Sequence, residues 1–340
     1  RTFKSCSRLR RNSRCRFWRD DKNLWYGGRV TRDSLDMQQY LLDRKLLVDH
    51  ALGHYLKKDH QVTSLLHQAV RYSVLDGAKR FRPILTLATG ELFGAKQRVL
   101  LPFGCAIELI HCYSLIHDDL PALDNDDLRR GKLSCHKRFG EAIALLAGDA
   151  LLTEAFFIMS DPRLGRLLNV SLVSKLIGEI SDAAGIRGMI GGQSTELELV
   201  KRKVTPAVLE GLDRLKTGAL ITTAARVGAM IGGAGRKDLE RVTRYAQALG
   251  LAFQITDDIL DAHEVSSDKS NHAGIANYLS VASPAKASER VKALLAECLT
   301  EMEPYGRGAE PLRAIARPVA LRTAADAEHD GKGVRPYQQP

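Results

Sequence analysis

AIELIHCYSLIHDD (residues 106–119) runs directly into LPALDNDDLRRG (120–131), and this passage from an apolar stretch to a carboxylate cluster decides how the chain is read. Apolar residues in the first stretch recur at three and four, the spacing of a helix face. Pro121 cannot continue a regular helix. The segment after it is expected to loop and bring Asp124 back toward Asp118. A second stretch repeats the design: GLAFQITDDILD (250–261) carries Asp257, Asp258 and Asp261. Asp257 and Asp261 are four apart, about 40° around a helix, and point the same way. An acidic cluster is ordinarily a solvated face. Here apolar sequence surrounds it, and grouped carboxylates that lose water repel one another and need cations.

Donor chemistry selects the cation. Oxygen ligands without His or Cys favour Mg²⁺ over zinc, and a few carboxylates without a full cage suit an ion that takes its other ligands from water and substrate phosphates. The Gly and closing Glu of a calcium loop are missing at their spacing. Phosphate then requires basic residues. Asp76-Gly77-Ala78-Lys79-Arg80-Phe81-Arg82-Pro83 sets three cations beside a Gly at a helix start, an anion site by charge and by helix dipole. Arg129-Arg130-Gly131 follows the first acidic cluster, and Lys216-Thr217-Gly218 is a third candidate.

Outward from these motifs the pattern stays helical from Met37 to about Arg317. Breaks are expected at Asp76-Gly77, Gly94, Pro121, Gly131, Asp161-Pro162, Gly191-Gly192, Pro206, Gly232-Gly233 and Pro284. That spacing predicts an all-α domain of about ten helices over 37–317. Gly232-Gly233-x-Gly235 reads as a helix-to-helix turn, since no strand precedes it. His136, His263 and His272 lack metal-ligand spacing. Residues 1–36 are expected to be a basic disordered extension or a targeting segment, and 318–340, polar with Gly and Pro, a disordered tail.

The 340 residues are 44% apolar and 26% charged, the balance of a globular chain. Net charge is +10, but residues 1–36 hold eleven Lys/Arg against four Asp, so the other 304 residues carry only +3. A nucleic-acid partner therefore loses most of its support. Six cysteines without a C-x-x-C pair exclude a disulfide scaffold and fit a reducing compartment. No unbroken run of about 18 apolar residues occurs, so no membrane span is expected. The cytoplasm is the expected location, with a mitochondrion or plastid as the alternative if 1–36 is a transit peptide.

The string HCYSLIHDDLPALDNDDLRRGKLSCHKRFGEAIALLAGDALL (111–152) resembles the first aspartate-rich motif of the trans-prenyl diphosphate synthases, and FQITDDILD (253–261) resembles the second. The likeness runs from about Gly77 to Arg317, about 70% of the chain, and is nearest to the bacterial short-chain branch that makes farnesyl diphosphate. It implies an all-α bundle of about ten core helices around a deep cavity, usually homodimeric. It implies Mg²⁺-dependent head-to-tail condensation of isopentenyl diphosphate with an allylic diphosphate, dimethylallyl or geranyl. Carried over by position, Asp118, Asp124 and Asp257 would bind the metal cluster, with Asp119, Asp258 and Asp261 as ligands or supports. Arg129 would clamp the allylic diphosphate, with Lys216, Thr217 and Gln254 around it and the developing carbocation. Lys79, Arg82, His111 and Arg130 would form the isopentenyl diphosphate pocket. Tyr113, beside Ser114, would floor the tail pocket about 7.5 Å along the helix from Asp118 and stop growth near fifteen carbons; geranylgeranyl diphosphate stays open as product.

Two departures from the family pattern are expected to matter. Ile275 stands where the family has a Lys facing the allylic diphosphate, with Lys269 nearby, and Pro318 falls where the last helix should continue. Slower turnover is expected, not a changed reaction. A class I terpene cyclase is disfavoured by Asp257-Asp258-x-x-Asp261 and by the basic isopentenyl pocket. A catalytically impaired partner subunit commonly loses carboxylates, and both clusters here are whole.

Overall fold

The computed structural model describes residues 37–57, 64–75, 77–200, 202, 204–264 and 277–317. In chain order come α1 (Met37–Tyr55), α2 (Ser64–Val74), α3 (Phe81–Leu92) and α4 (Gln97–Asp118), then a short hairpin of β1 (Leu128–Arg129) and β2 (Lys132–Leu133). Next are α5 (Cys135–Phe139), α6 (Glu141–Met159), α7 (Pro162–Leu168), α8 (Val170–Ala184), α9 (Met189–Leu199) and α10 (Pro206–Asp213). A π-helical turn, Arg214–Gly218, joins α10 to α11 (Ala219–Ile231); α12 (Arg236–Glu264), α13 (Tyr278–Val281), α14 (Pro284–Met302) and a last helical segment at 310–317 follow. Among the described residues, ten helices have eleven residues or more: α1–α4, α6, α8, α9, α11, α12 and α14. The all-α expectation holds, and strand is confined to the hairpin among those residues.

Three of the prolines expected at breaks stand at the break and open the next helix. Pro162, Pro206 and Pro284 open α7, α10 and α14, and Asp161, Thr205 and Ser283 before them accept hydrogen bonds from Arg163, Val208 and Lys286 backbone N–H groups. This is the N-cap arrangement, in which the missing proline N–H costs nothing. Gly191 and Gly192 do not break a helix. They lie inside α9, and the break comes earlier, around Gly185–Gly188. Their physical reason is proximity: a Cβ on Gly192 would stand 2.5 Å from the Lys216 backbone nitrogen. α9 therefore presses directly on the π turn.

α4 is the axis of the bundle. Fifteen of its residues are buried, including Glu108, and it packs on α3, α6 and α11. α4 and α6 have the length and mean hydropathy of a membrane span, a pattern that the core helix of a bundle shares. α4's apolar window is 83% buried inside the bundle, as befits a core helix. α3 and α11 close another seam, where a Cβ on Gly228 would lie 2.3 Å from the Thr86 carbonyl oxygen and 2.9 Å from the Gly90 nitrogen. Backbone cannot rotate away as a side chain can. Gly228→Ala is therefore expected to destabilise the protein by roughly 3 kcal/mol through overpacking; a urea midpoint unchanged from the parent's would contradict this close approach.

Candidate active site

The first acidic cluster begins where α4 stops. The Asp119 N–H still bonds the Leu115 carbonyl, then the chain folds back: Leu123 N–H reaches the Leu120 carbonyl, and Asp124 N–H reaches the Asp118 carbonyl at 2.9 Å. Asn125 completes the reversal with a left-handed φ of 54°, a conformation Asn tolerates. Asp118 and Asp124 are thus neighbours despite six residues of separation. Burial pushes the Asp118 carboxyl up to about 7, and the charges of Asp124 and Asp119 push the same way, against Lys216 and Arg129. Such a carboxylate lacks compensating positive charge.

Asp119 faces differently. It is 2% exposed and accepts from Arg129, whose Nε lies 2.9 Å from Oδ1 and whose Nη2 bonds the same oxygen. Arg129 also reaches Asp126 at 3.2 Å. The hairpin supplies this arginine. Arg130 and Gly131 turn it with φ of 53° and 73°. Tyr72 pins it by donating its hydroxyl to the Leu133 carbonyl at 2.7 Å.

The second cluster lies on α12. Asp257, with Lys79, Phe81, Phe253 and Thr256, lines a cavity of about 310 Å³. Asp258 is 9% exposed; its oxygens accept from Gln254 Nε2 at 3.0 Å and from the Tyr278 N–H at 2.7 Å. Gln254 in turn accepts from Thr217 Oγ1 at 3.0 Å. Thr217 and Lys216 sit in the π turn, a helix irregularity common at functional sites. Lys216 Nζ meets Glu196 of α9 at 2.5 Å. Asp261, Lys269 and Ile275 cannot be placed: the Asp261 side chain and residues 265–276 lie outside what is described.

A cationic wall stands nearby. Arg82 Nε is buried with no hydrogen-bond partner among the described residues. Burial holds the Arg82 guanidinium below its usual range, opposed by Glu108. His111 is held well below the usual imidazole range by burial and then by Arg82, Arg130 and Arg129, so it is neutral. These four side chains, from α3, α4 and the hairpin, therefore converge, and Asp257 is a charged neighbour of Arg82. Arginines crowded beside half-buried Arg82 and His111, with Arg130 open to solvent, form a ready site for an anion.

Sequence reasoning missed Glu196 and Asp213. Burial pushes the Asp213 carboxyl up to about 7, helped by the charges of Asp258 and Glu196, and its Oδ2 has no partner among the described residues. An acid three residues before Lys216 in an apolar helix was the available signal. Among the described residues no three His, Cys, Asp or Glu side chains already form a metal cage. The donors present are nonetheless carboxylate oxygens under like-charge strain, a set that suits Mg²⁺ shared with a phosphate ligand.

The polyprenyl synthetase family model matches residues 63–276. A farnesyl diphosphate synthase of Geobacillus stearothermophilus is 43% identical over 265 residues, 76% of this chain and 88% of its own. A geranylgeranyl diphosphate synthase of Cyanophora paradoxa is 38% identical over 291 residues, 83% and 95% of the two chains. Among solved structures, the apo form of an FPP/GFPP synthase from Zymomonas mobilis superposes with a TM-score of 0.77 at 36% identity, covering 84% of this chain and 98% of that one.

Proposed function

The chain belongs to the polyprenyl synthetase family, and from that premise we propose how its residues divide the work of the reaction. The protein is a prenyltransferase that joins isopentenyl diphosphate head to tail to an allylic diphosphate, giving farnesyl diphosphate. The observation that carries the assignment of roles is the return of Asp124 to half-buried Asp118 through the backbone, with the charges of Lys216 and Arg129 acting on the same carboxyl.

Asp118, Asp124 and Asp257 would hold Mg²⁺, which when bound supplies positive charge to the departing diphosphate. Asp119 positions Arg129, and Asp258 positions Gln254 and the chain at Tyr278. Arg129 and Lys216 stabilise the negative charge that develops on the leaving diphosphate, fixed donors that need no reorganisation. Thr217 and Gln254 turn oxygen dipoles to the allylic cation left behind. Lys79, Arg82, His111 and Arg130 hold the isopentenyl diphosphate with its double bond facing that cation. The departed diphosphate is the base closest to hand for the proton lost at the end.

Tyr113 is the proposed floor of the tail pocket. It is 5% exposed, its hydroxyl has no partner among the described residues, and its ring stands edge-on to His117 at 5.7 Å. His117 has room there because α6 carries Gly148: a Cβ would lie 2.0 Å from Nε2. α6 also leaves Leu145, Leu146 and Phe157 about half exposed on one side, which supports a homodimer formed through that face. Residues 37–317 make up the single catalytic domain on this reading. The cytoplasmic location, or an organelle instead, rests on the composition of residues 1–36, and a reporter fused to that segment would tell them apart.

The test uses the full chain with isopentenyl diphosphate, geranyl diphosphate and Mg²⁺. Farnesol after dephosphorylation, lost on adding EDTA, is the expected product. Tyr113→Ala is expected to move the main product to twenty carbons or more, by opening space below the growing tail. An unchanged fifteen-carbon product from the folded variant would remove Tyr113 from that role. In light scattering the same preparation is expected at twice 37.5 kDa; a monomer would count against the α6 face.

A further inference from the structure

Lys79, Arg80 and Arg82 look like three equal cations in sequence, but they are not equal in the fold. Arg80 is 1% exposed and takes a left-handed φ of 55° just before α3 begins. Its guanidinium is shared by three elements. Nε donates to Asp49 of α1 at 2.7 Å, Nη1 to Glu108 of α4 at 2.9 Å, and Nη2 to the Val74 carbonyl at the end of α2. A left-handed backbone at a non-glycine residue is strained and persists only where its surroundings fix it. Here the fixed fork of the guanidinium does so.

We propose that Arg80 is a positioning residue for the isopentenyl diphosphate pocket, acting in two ways. By anchoring the left-handed turn, it sets the direction in which Lys79 and Arg82 leave the backbone. By pairing with Glu108 at 2.9 Å, it also keeps that carboxylate from capturing Arg82, on which Glu108 exerts the strongest pull of any charged group and whose Nε is buried without a partner among the described residues. A buried carboxylate seeks a cation. Without the Arg80 fork, Glu108 would turn to Arg82 and compete with the incoming diphosphate. The proposal rests on the reading of Lys79 and Arg82 as diphosphate ligands.

The test compares Arg80→Lys, Asp49→Asn and Lys79→Ala in the full chain, with melting curves to establish folding. Lysine keeps the charge and loses the fork. Asp49→Asn loosens one leg and leaves Glu108 paired, so it remains measurable if Arg80→Lys does not fold. Arg80→Lys is expected to raise KM for isopentenyl diphosphate about tenfold, and Asp49→Asn about threefold. KM for geranyl diphosphate and kcat should stay within about twofold. Adding Glu108→Gln to Arg80→Lys should recover part of the lost affinity, because a neutral amide no longer competes for Arg82. A merely structural role would reduce the active fraction and leave both KM values alone, and that result would overturn the proposal while Lys79→Ala still raised KM for isopentenyl diphosphate. If Lys79→Ala leaves that KM unchanged, the pocket assignment itself fails and the proposal falls with it.

Discussion

Asp118→Asn lowers kcat by roughly a thousandfold, the expected loss when a group that binds transition-state charge through a metal is neutralised. The variant keeps the size and hydrogen-bonding reach of the side chain, so the loop that returns Asp124 to the Asp118 carbonyl is retained. Its stability should move the other way. Burial holds the Asp118 carboxyl up at about 7, with Asp124 and Asp119 adding to the effect, so the ionised form is a liability in metal-free protein at neutral pH. Asp118→Asn should therefore melt at a higher temperature than the parent without Mg²⁺ while being nearly inactive with it. That opposition of stability and activity is common where strain is kept for function. A variant within tenfold of parental turnover would refute the role given to Asp118.

The second large effect is a pH dependence that a ligand should reverse. Asp118 and Asp213 are both held at about 7 in the folded chain, chiefly by burial, against an ordinary value of 3.8. A carboxyl whose folded pKa is raised binds its proton more tightly when folded. The stability it allows is full below the unfolded pKa and is lost as pH rises through the folded one. Metal-free protein is thus expected to lose roughly a few kcal/mol between pH 4 and pH 7. Mg²⁺ with inorganic diphosphate should flatten the Asp118 share of that slope. Asp213→Asn should flatten a further share with no ligand present. Melting curves at four or five pH values, with and without the ligand pair, measure both. A metal-free slope of the opposite sign would mean that neither carboxyl is strained as described.

Much of this was legible beforehand because it depends on local chemistry. Helical periodicity gave the ten long helices, and Pro121 gave the loop that returns Asp124. The harder distinctions arise between neighbours in sequence whose partners come from far away. Nothing in Asp118-Asp119 says which carboxylate is paired; Arg129, arriving on the hairpin ten residues later, takes Asp119. Gly191-Gly192 signalled a break because glycine usually does, but the requirement was room for the backbone at Lys216. Arg80 was indistinguishable from Lys79 and Arg82 until α1, α2 and α4 closed around it. Glu196 gave no signal at all, since its partner Lys216 is on another helix.

The bond from the Asp124 N–H to the Asp118 carbonyl has a thermodynamic meaning beyond geometry. Two carboxylates on a free loop would each meet a cation separately, and binding the second would carry the entropy of closing the loop. Tied through the backbone, they would behave as one chelating unit, and the second would meet the ion at the high effective concentration of a tethered partner. A cation taken up through this pair would be released as slowly as a bidentate ligand allows, although neither carboxylate alone binds tightly. Affinity for the ion would then depend on residues that never touch it, Pro121 and Asn125 among them, because they hold the loop closed.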